Sequence, residues 1–226
     1  MQESNNKIYS SFQKTVINFV PNKPNLTILD LGCGTGETGM MLKQKYGAKV
    51  FGVSISEKEC EISNQVLEKC YQYDLENGLP FNFVDTFDVV LLSHVLEHIC
   101  YPEKLLEDLK KVLKQNGIII VALPNIMHYN SRLKLLLGNF EYTDKGIYDY
   151  THFRWYTFKS AERLFNKHGF KTSIKDVTVS LPFGRILNRI KNEKIKIKIT
   201  QFLKNISKGF FGWELVYVFQ LSENEK

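Results

Sequence analysis

The 226-residue chain predicts an α/β fold, a mostly parallel seven-stranded sheet with helices on both faces. Three observations carry this. Apolar runs rich in Val and Ile alternate with segments of helical composition, the pattern of βαβ units. The run Ile28-Leu29-Asp30-Leu31 breaks into Gly32, Gly34 and Gly36, a tight turn between a strand and a helix. Gly117 and Gly169 stand where helices should stop. With 43% apolar residues the chain can bury one sizeable core. Residues 1–226 are therefore expected to form a single domain, with no repeat and no low-complexity linker.

The elements follow in order. A helix is expected over 8–20, a strand over 26–31 and a helix over 37–46. A second strand at 49–53 leads to a helix over 57–67, opened by the capping box Ser56-x-x-Glu59. Strands at 69–73 and 87–92 precede a helix at 103–114 and a strand at 117–123. Helices at 128–137 and 158–168 and strands at 171–179 and 214–221 complete the sheet. Residues 126–156, after the fifth strand, are rich in aromatic and charged side chains. An insertion of that length in a compact domain is usually functional, so it is expected to form a lid or wall over the site.

The net charge of +6 is concentrated near the C-terminus. From Arg185 to Lys208 there are eight Lys or Arg residues against one acid, Glu193. Ile186, Ile190, Ile195, Ile199, Phe202 and Ile206 recur there at near-helical spacing, which reads as a basic amphipathic helix pair over about 185–210. Its bland role is a solvated helix covering the core. Its functional roles are weak association with an anionic membrane surface or with an anionic acceptor. No aromatic-rich basic motif supports nucleic-acid binding, and no oligomeric state is implied. Met1 to Lys7 are polar, with no apolar signal-peptide core. No run approaches the ~18 apolar residues of a membrane span. Cys33, Cys60, Cys70 and Cys100 show neither C-x-x-C nor zinc spacing and read as free thiols of a cytoplasmic protein.

In such sheets ligands bind at the carboxyl ends of the strands. Asp30 and the glycines follow the first strand, Ser54 and Ile55 the second, Asp74 and Leu75 the third. Ser93 and His94 follow the fourth, Pro124 and Asn125 the fifth. Glycines let the backbone pass close to a ligand, and the turn aims helix-terminal N–H groups at it. Two cofactors compete for this turn. Gly34-Thr35-Gly36-Glu37-Thr38-Gly39 matches the G-x-G-x-x-G of dinucleotide sites literally, but such sites also want an acid where this chain has Ser54. Asp30 would also set a carboxylate against the pyrophosphate. S-adenosyl-L-methionine (SAM) carries an ammonium and a sulfonium and no phosphate, so charge favours it. Asp74 suits an adenine amino group, the Leu75 N–H a ring nitrogen, and Ile55 the adenine face.

These segments resemble class I SAM-dependent methyltransferases. DLGCGTG resembles the superfamily's first motif, VFGVSIS its second strand and turn, and YDLENGLPF its adenine-binding segment. The stretch from Phe87 to Asn125 resembles its fourth-to-fifth-strand region. The resemblance spans about residues 26–170 and implies a Rossmann-like sheet with SAM as methyl donor. Residues 122–170 are similar to a narrower group, small bacterial methyltransferases associated with surface-polysaccharide biosynthesis. Ser54 departs from the pattern, because the superfamily usually has Asp or Glu there. A hydroxyl still bonds a ribose oxygen, with roughly half the strength of a charge-assisted bond.

His94-Val95-Leu96-Glu97-His98 is literally H-x-x-E-H, the inverted zinc-protease pattern. That pattern needs a long helix and a third ligand downstream. Here it follows a strand directly and meets Pro102 within four residues, so no zinc is expected at His94 and His98. Glu97 and His98 are expected to orient the loop and bond its backbone.

Methyl transfer from a sulfonium is an in-line displacement in which positioning does much of the work. A sugar hydroxyl is a poor nucleophile at neutral pH, so a general base helps, and His94 and His152 are the candidates. A phosphate-type acceptor needs cationic clamps instead, and Arg132 and Arg154 are available. Tyr129 offers a ring for a sugar face, and Asp149 is placed to orient His152. The expected function is O-methylation of a sugar or nucleotide-activated precursor of a surface polysaccharide. The alternatives are another small-molecule or lipid-linked acceptor, and a SAM-binding regulatory protein without turnover.

Overall fold

The computed structural model describes residues 13–80, 83–179 and 192–223. Seven strands form one sheet: β1 (Thr27–Leu31), β2 (Lys49–Ser54), β3 (Lys69–Gln72), β4 (Phe87–Ser93), β5 (Leu113–Pro124), β6 (Phe170–Val179) and β7 (Gly212–Leu221). Their order is β3-β2-β1-β4-β5-β7-β6. The first five pair in parallel, while β7 runs antiparallel to both β5 and β6. The order reverses between β1 and β4, the switch point at which open α/β sheets bind ligands.

The central strands are buried on both faces, as parallel strands covered by helices must be. Alternation divides them between two apolar layers. Leu29, Leu31, Val90 and Leu92 face one, and Ile28, Val89 and Leu91 the other. Four helices follow strands or strand-end loops: α2 (Glu37–Tyr46), α3 (Glu57–Ser63), α4 (Glu103–Val112) and α6 (Phe158–Lys167). The short α1 (Lys14–Ile17) packs Val16 and Ile17 into the layer beneath α2.

Several boundaries differ from expectation. Residues 8–12 of the expected first helix lie outside the described residues, and the described part is α1 alone. The helix expected over 57–67 stops at Ser63, because the Asn64 side chain accepts a 2.7 Å bond from the Cys70 N–H and turns the chain into β3. The fifth strand starts at Leu113 rather than 117, and its pairing with β4 slips between Phe87 and Val89. Of the basic segment, residues 185–191 lie outside the described residues. The rest forms α7 (Glu193–Phe211), which leaves helical geometry at Ser207. Lys204 and Lys208 pair with Asp176 of β6 and Leu203 is buried, while Ile195, Phe202 and Ile206 stay exposed rather than covering the core. No helix among the described residues is long and apolar enough to cross a membrane.

The insertion after β5 folds over the carboxyl edge of the sheet. It begins with α5 (Tyr129–Leu136) and returns through a loop whose Phe153 and Arg154 N–H groups bond the Glu97 carbonyl.

Candidate active site

The glycine turn has the backbone the sequence demands. Gly32, Gly34 and Gly36 take φ of 71°, 53° and 84°, left-handed conformations that L side chains resist. A Cβ on Gly32 would stand 2.6 Å from Val95 Cγ2, so that position has no room for a side chain. The N–H groups of Gly32 and Cys33 both bond the Val53 carbonyl, which bends the chain over the end of β2. Gly36 then caps α2.

Asp30 is buried at this turn, and its Oδ2 has no partner among the described residues. Burial, with a smaller contribution from Cys70, pushes its pKa up to about 7. Thr35 Oγ1 and Ser93 Oγ are also buried without partners among the described residues. The β1–β4 register pairs Leu31 with Leu92, so Ser93 stands level with Gly32. Orphaned polar atoms are rare in native proteins. A carboxylate and two hydroxyls left unsatisfied at one switch point fit a polar, cationic ligand such as SAM and oppose a pyrophosphate.

The end of β2 requires a correction. The Ser54 hydroxyl is not open to a ribose, because it donates to Glu59 Oε2 at 2.5 Å and accepts from the Ser56 N–H. Glu59, buried in the first turn of α3, sets a carboxylate beside the strand end where the superfamily usually carries one. Ile55 is half exposed and able to lie against a flat ring. Asp74 is exposed and caps the one-turn helix Leu75–Asn77 by accepting from the Glu76 N–H, and Leu75 packs against the core.

Across the switch point lies a cavity of about 230 Å³ lined by His94, Glu97, His98, Pro124, Ile147, Asp149, His152 and Trp213 among others. A larger one, about 300 Å³, sits at the opposite edge of the sheet beside Asp88 and Lys114, away from the carboxyl ends of the strands. His94 occupies a left-handed conformation, φ 56°, rare for a residue with a Cβ. Its ring is held from both sides, Nδ1 3.2 Å from Glu97 Oε1 and Nε2 2.9 Å from Glu214 Oε1. Burial opposes the charge, but the bonds to Glu214 and Glu97 outweigh it and push the pKa up to about 10. With a carboxylate on each ring nitrogen, His94 has no free nitrogen to take an acceptor's proton, which differs from the role of base expected of it.

His152 is buried, and burial lowers its pKa, keeping the ring neutral. Its Nδ1 meets the Ile147 carbonyl, not Asp149. The Asp149 carboxylate instead accepts from the N–H and hydroxyl of Thr151, so it shapes the loop that carries His152. Three other residues expected on the acceptor side, Arg154, Arg132 and Tyr129, are not among those lining this cavity. Arg154 donates to the Cys100 carbonyl at 2.7 Å and approaches Glu103. Arg132 donates to the Met127 carbonyl and lies over the Phe210 ring. Tyr129 packs among His128, Phe210 and Phe211.

The Glu97 carbonyl and the His98 ring bond residues 151–154 rather than the backbone of their own loop. The Glu97 carbonyl accepts from the N–H groups of Phe153 and Arg154, and His98 Nδ1 meets the Thr151 carbonyl. Sequence reasoning missed Trp213, which lines the pocket from β7, and Glu214, which holds His94 from 120 positions further along the chain. No local pattern marks either residue.

Among relatives, the ajmaline N-methyltransferase of Rauvolfia serpentina is 31% identical over 107 residues, covering 45% of this chain and 37% of the relative. The mitochondrial ubiquinone biosynthesis O-methyltransferase of Rattus norvegicus is 31% identical over 169 residues, covering 70% and 47%. The chain thus spans less than half the length of these curated relatives. Among solved structures, a SAM-dependent methyltransferase from Archaeoglobus fulgidus aligns with a TM-score of 0.62 at 19% identity, covering 90% of both chains. The cyclase SpnF aligns at 0.58 and 13%, covering 88% and 76%, so the shared fold alone does not fix a reaction. Sequence is more telling than shape here: the family model described as "Methyltransferase domain" matches residues 5–173, well over half of the chain, and the chain belongs to that family.

Proposed function

We propose that this protein is a SAM-dependent methyltransferase acting on a small-molecule acceptor, with oxygen as the methylated atom. The observation that carries the reading is Asp30, a buried and unpartnered carboxylate at the floor of a three-glycine turn. Family membership and the names of its relatives support the same donor. Asp30 would receive the cationic methionine end of SAM, with Gly32, Gly34 and Gly36 letting the backbone approach it. Ser93 and Thr35 would offer hydroxyls. Ile55, Asp74 and Leu75 would hold the adenine. Glu59, steadied by Ser54, would stand beside the ribose. When bound, SAM supplies an electrophilic methyl group on a sulfonium.

The acceptor belongs in the cavity under the lid. Its walls mix polar side chains with the apolar surfaces of Pro124, Ile147 and Trp213, and its volume suits a single ring rather than a polymer. A sugar or a nucleotide-activated precursor of a surface polysaccharide fits this chemistry, and the resemblance of residues 122–170 supports that choice. Glu97, His98 and His152 would meet the acceptor hydroxyl.

Calorimetry with SAM, S-adenosylhomocysteine and NAD tests the donor. SAM and its product are expected to bind at one site per chain, and tighter binding of NAD than of either would sink the reading. Methyl transfer from labelled SAM to nucleotide sugars, with phenolic and lipid-linked acceptors alongside, tests the acceptor class.

A further inference from the structure

We infer that Glu97, His98 and His152 form a binding site for one divalent transition-metal ion on the wall of the acceptor cavity. One ligand atom from each of the three lies within 4.8 Å of the other two. The imidazoles meet edge to face, with centroids 4.8 Å apart. Each has its Nδ1 on a backbone carbonyl, His98 on Thr151 at 3.1 Å and His152 on Ile147 at 3.2 Å. A carbonyl only accepts, so Nδ1 carries the proton and Nε2 presents a lone pair. Metal-binding histidines are oriented in this way.

The third residue supplies an independent observation. Glu97 is 1% exposed. Its Oε1 is engaged by His94, but Oε2 is buried with no partner among the described residues. A carboxylate oxygen so placed is costly unless a donor or cation meets it. The set is not the pair that H-x-x-E-H suggests. The motif forms a one-turn helix, Leu96–His98, and the His94 ring turns to Glu214. His98 is matched by a histidine 54 positions later that no spacing rule would have joined to it.

Two imidazoles and one carboxylate suit Zn²⁺, Co²⁺, Mn²⁺ or Fe²⁺ better than the all-oxygen sites of Ca²⁺ and Mg²⁺. Three protein ligands also leave a coordination position open, the mark of catalytic rather than structural sites. Ligands around a tetrahedral ion with bonds near 2.1 Å stand about 3.4 Å apart, so the side chains would close by roughly an ångström. The ion's chemical role rests on the proposed methyl transfer. An acceptor hydroxyl held against the cation gives its proton to water, and its oxygen forms the new C–O bond. The S–CH₃ bond breaks, and its electron pair stays on sulfur. His152 is then a ligand rather than a base.

The test uses the full chain, stripped by a chelator and dialysed, without SAM. Titration with Co²⁺, followed by visible absorption, and with Zn²⁺, followed by calorimetry, should each reach one ion per chain. His98→Gln, His152→Gln and Glu97→Gln should each weaken binding at least about tenfold. No saturable binding, or binding that His98→Gln and His152→Gln leave unchanged, overturns the site. Circular dichroism establishes that each variant is folded. His98→Gln, at a half-buried position, is the second route should His152→Gln fail to fold, and in it the rise in melting temperature with Zn²⁺ should vanish. SAM calorimetry on the same samples separates the two readings. Metal bound by the three residues in a protein that ignores SAM would end the methyltransferase reading and keep the site. SAM bound without metal would do the reverse.

Discussion

The glycine turn and the lidded cavity stand side by side on one edge of the sheet, and they are held there by opposite means. The turn is made by backbone. Three glycines within five positions, each in a left-handed conformation, form it, and α2 and β2 support it from nearby in the sequence. The cavity is made by side chains from four separate stretches: His94 to His98, Ile147 to His152, Pro124 and Trp213. Its ties are equally long-range. Glu214 of β7 holds His94 from one side, and the same carboxylate accepts from the hydroxyls of Thr15 and Thr178. Where backbone conformation makes a site, substitution should act abruptly and locally. Where long-range pairs make it, substitution should separate binding from chemistry.

The largest effect should fall on the turn. Gly34→Val places a branched residue at φ 53°, where only glycine is comfortable, and fills the path along which a ligand approaches. SAM affinity should drop more than about 100-fold, which is the loss of roughly 2.7 kcal/mol of binding free energy. Calorimetry reads this directly. A Gly34→Val protein that binds SAM normally would mean the glycines serve packing alone, and the contrast between turn and cavity would collapse.

The cavity should respond in the second way. His152→Ala is expected to lower turnover by about 10²–10³-fold, in the range of an acid–base or comparable activating group. The dissociation constant for SAM should stay within about twofold, since the His152 ring meets His98 and the Ile147 carbonyl, on the acceptor side. Steady-state rates paired with calorimetry make the comparison. Full activity with the true acceptor would remove His152 from the reaction.

That difference also explains what the sequence disclosed. The fold was legible because alternation and glycine punctuation are local signals, and Asp30 with its glycines was legible for the same reason. Helix ends were less so, because Asn64 stops α3 through a bond to Cys70 that composition does not announce. On the acceptor side the partners of the expected residues differ from those the sequence suggests. Asp149 was matched to His152, yet it bonds Thr151. Arg154 was aimed at a substrate, yet it holds Cys100. Ser54 was read as a weakened ribose ligand, and only folding reveals that Glu59 stands behind it. Lid contacts between residues 50 and more positions apart depend on topology, and no spacing within the chain encodes them.

A smaller effect, in pH, should appear on the cofactor side alone. Burial holds the Asp30 pKa at about 7 in the unliganded protein, well above the ~3.9 of an exposed Asp. The raised value means the folded state keeps a proton the unfolded chain would release, so Asp30 contributes to stability only as pH falls from 7 toward 4. SAM requires the opposite form, because its ammonium needs the carboxylate. Affinity should therefore weaken by up to tenfold per pH unit below about 7. Near pH 6.5 binding should release a fraction of a proton, seen as a heat that varies with the ionisation enthalpy of the buffer. Asp30→Asn should bind more weakly and lose both dependences. A pH-independent SAM affinity in the unaltered protein would show that Asp30 does not face the cofactor's charge.

The smallest effect should come from Arg154, and it decides whether the cavity contains an anion clamp. Its Nε donates to the Cys100 carbonyl, its guanidinium is 3.9 Å from Glu103, and about a third of its side chain is exposed. A half-exposed ion pair at that distance contributes little, ~0–1 kcal/mol. The bond to Cys100 ties the lid to the loop after β4, and losing such a bond costs about 1 kcal/mol. Arg154→Ala should then lower the melting temperature by a few degrees and change turnover by less than about threefold, through a looser lid. Arg154→Lys should behave similarly, because a lysine ammonium also reaches a carbonyl but cannot fork to Glu103 as well. The result that breaks this reading is a loss of turnover beyond about 100-fold in a protein whose melting temperature is unchanged. Arg154 would then leave Cys100 when the acceptor arrives and bind its anionic group, and the acceptor would be of the phosphate type.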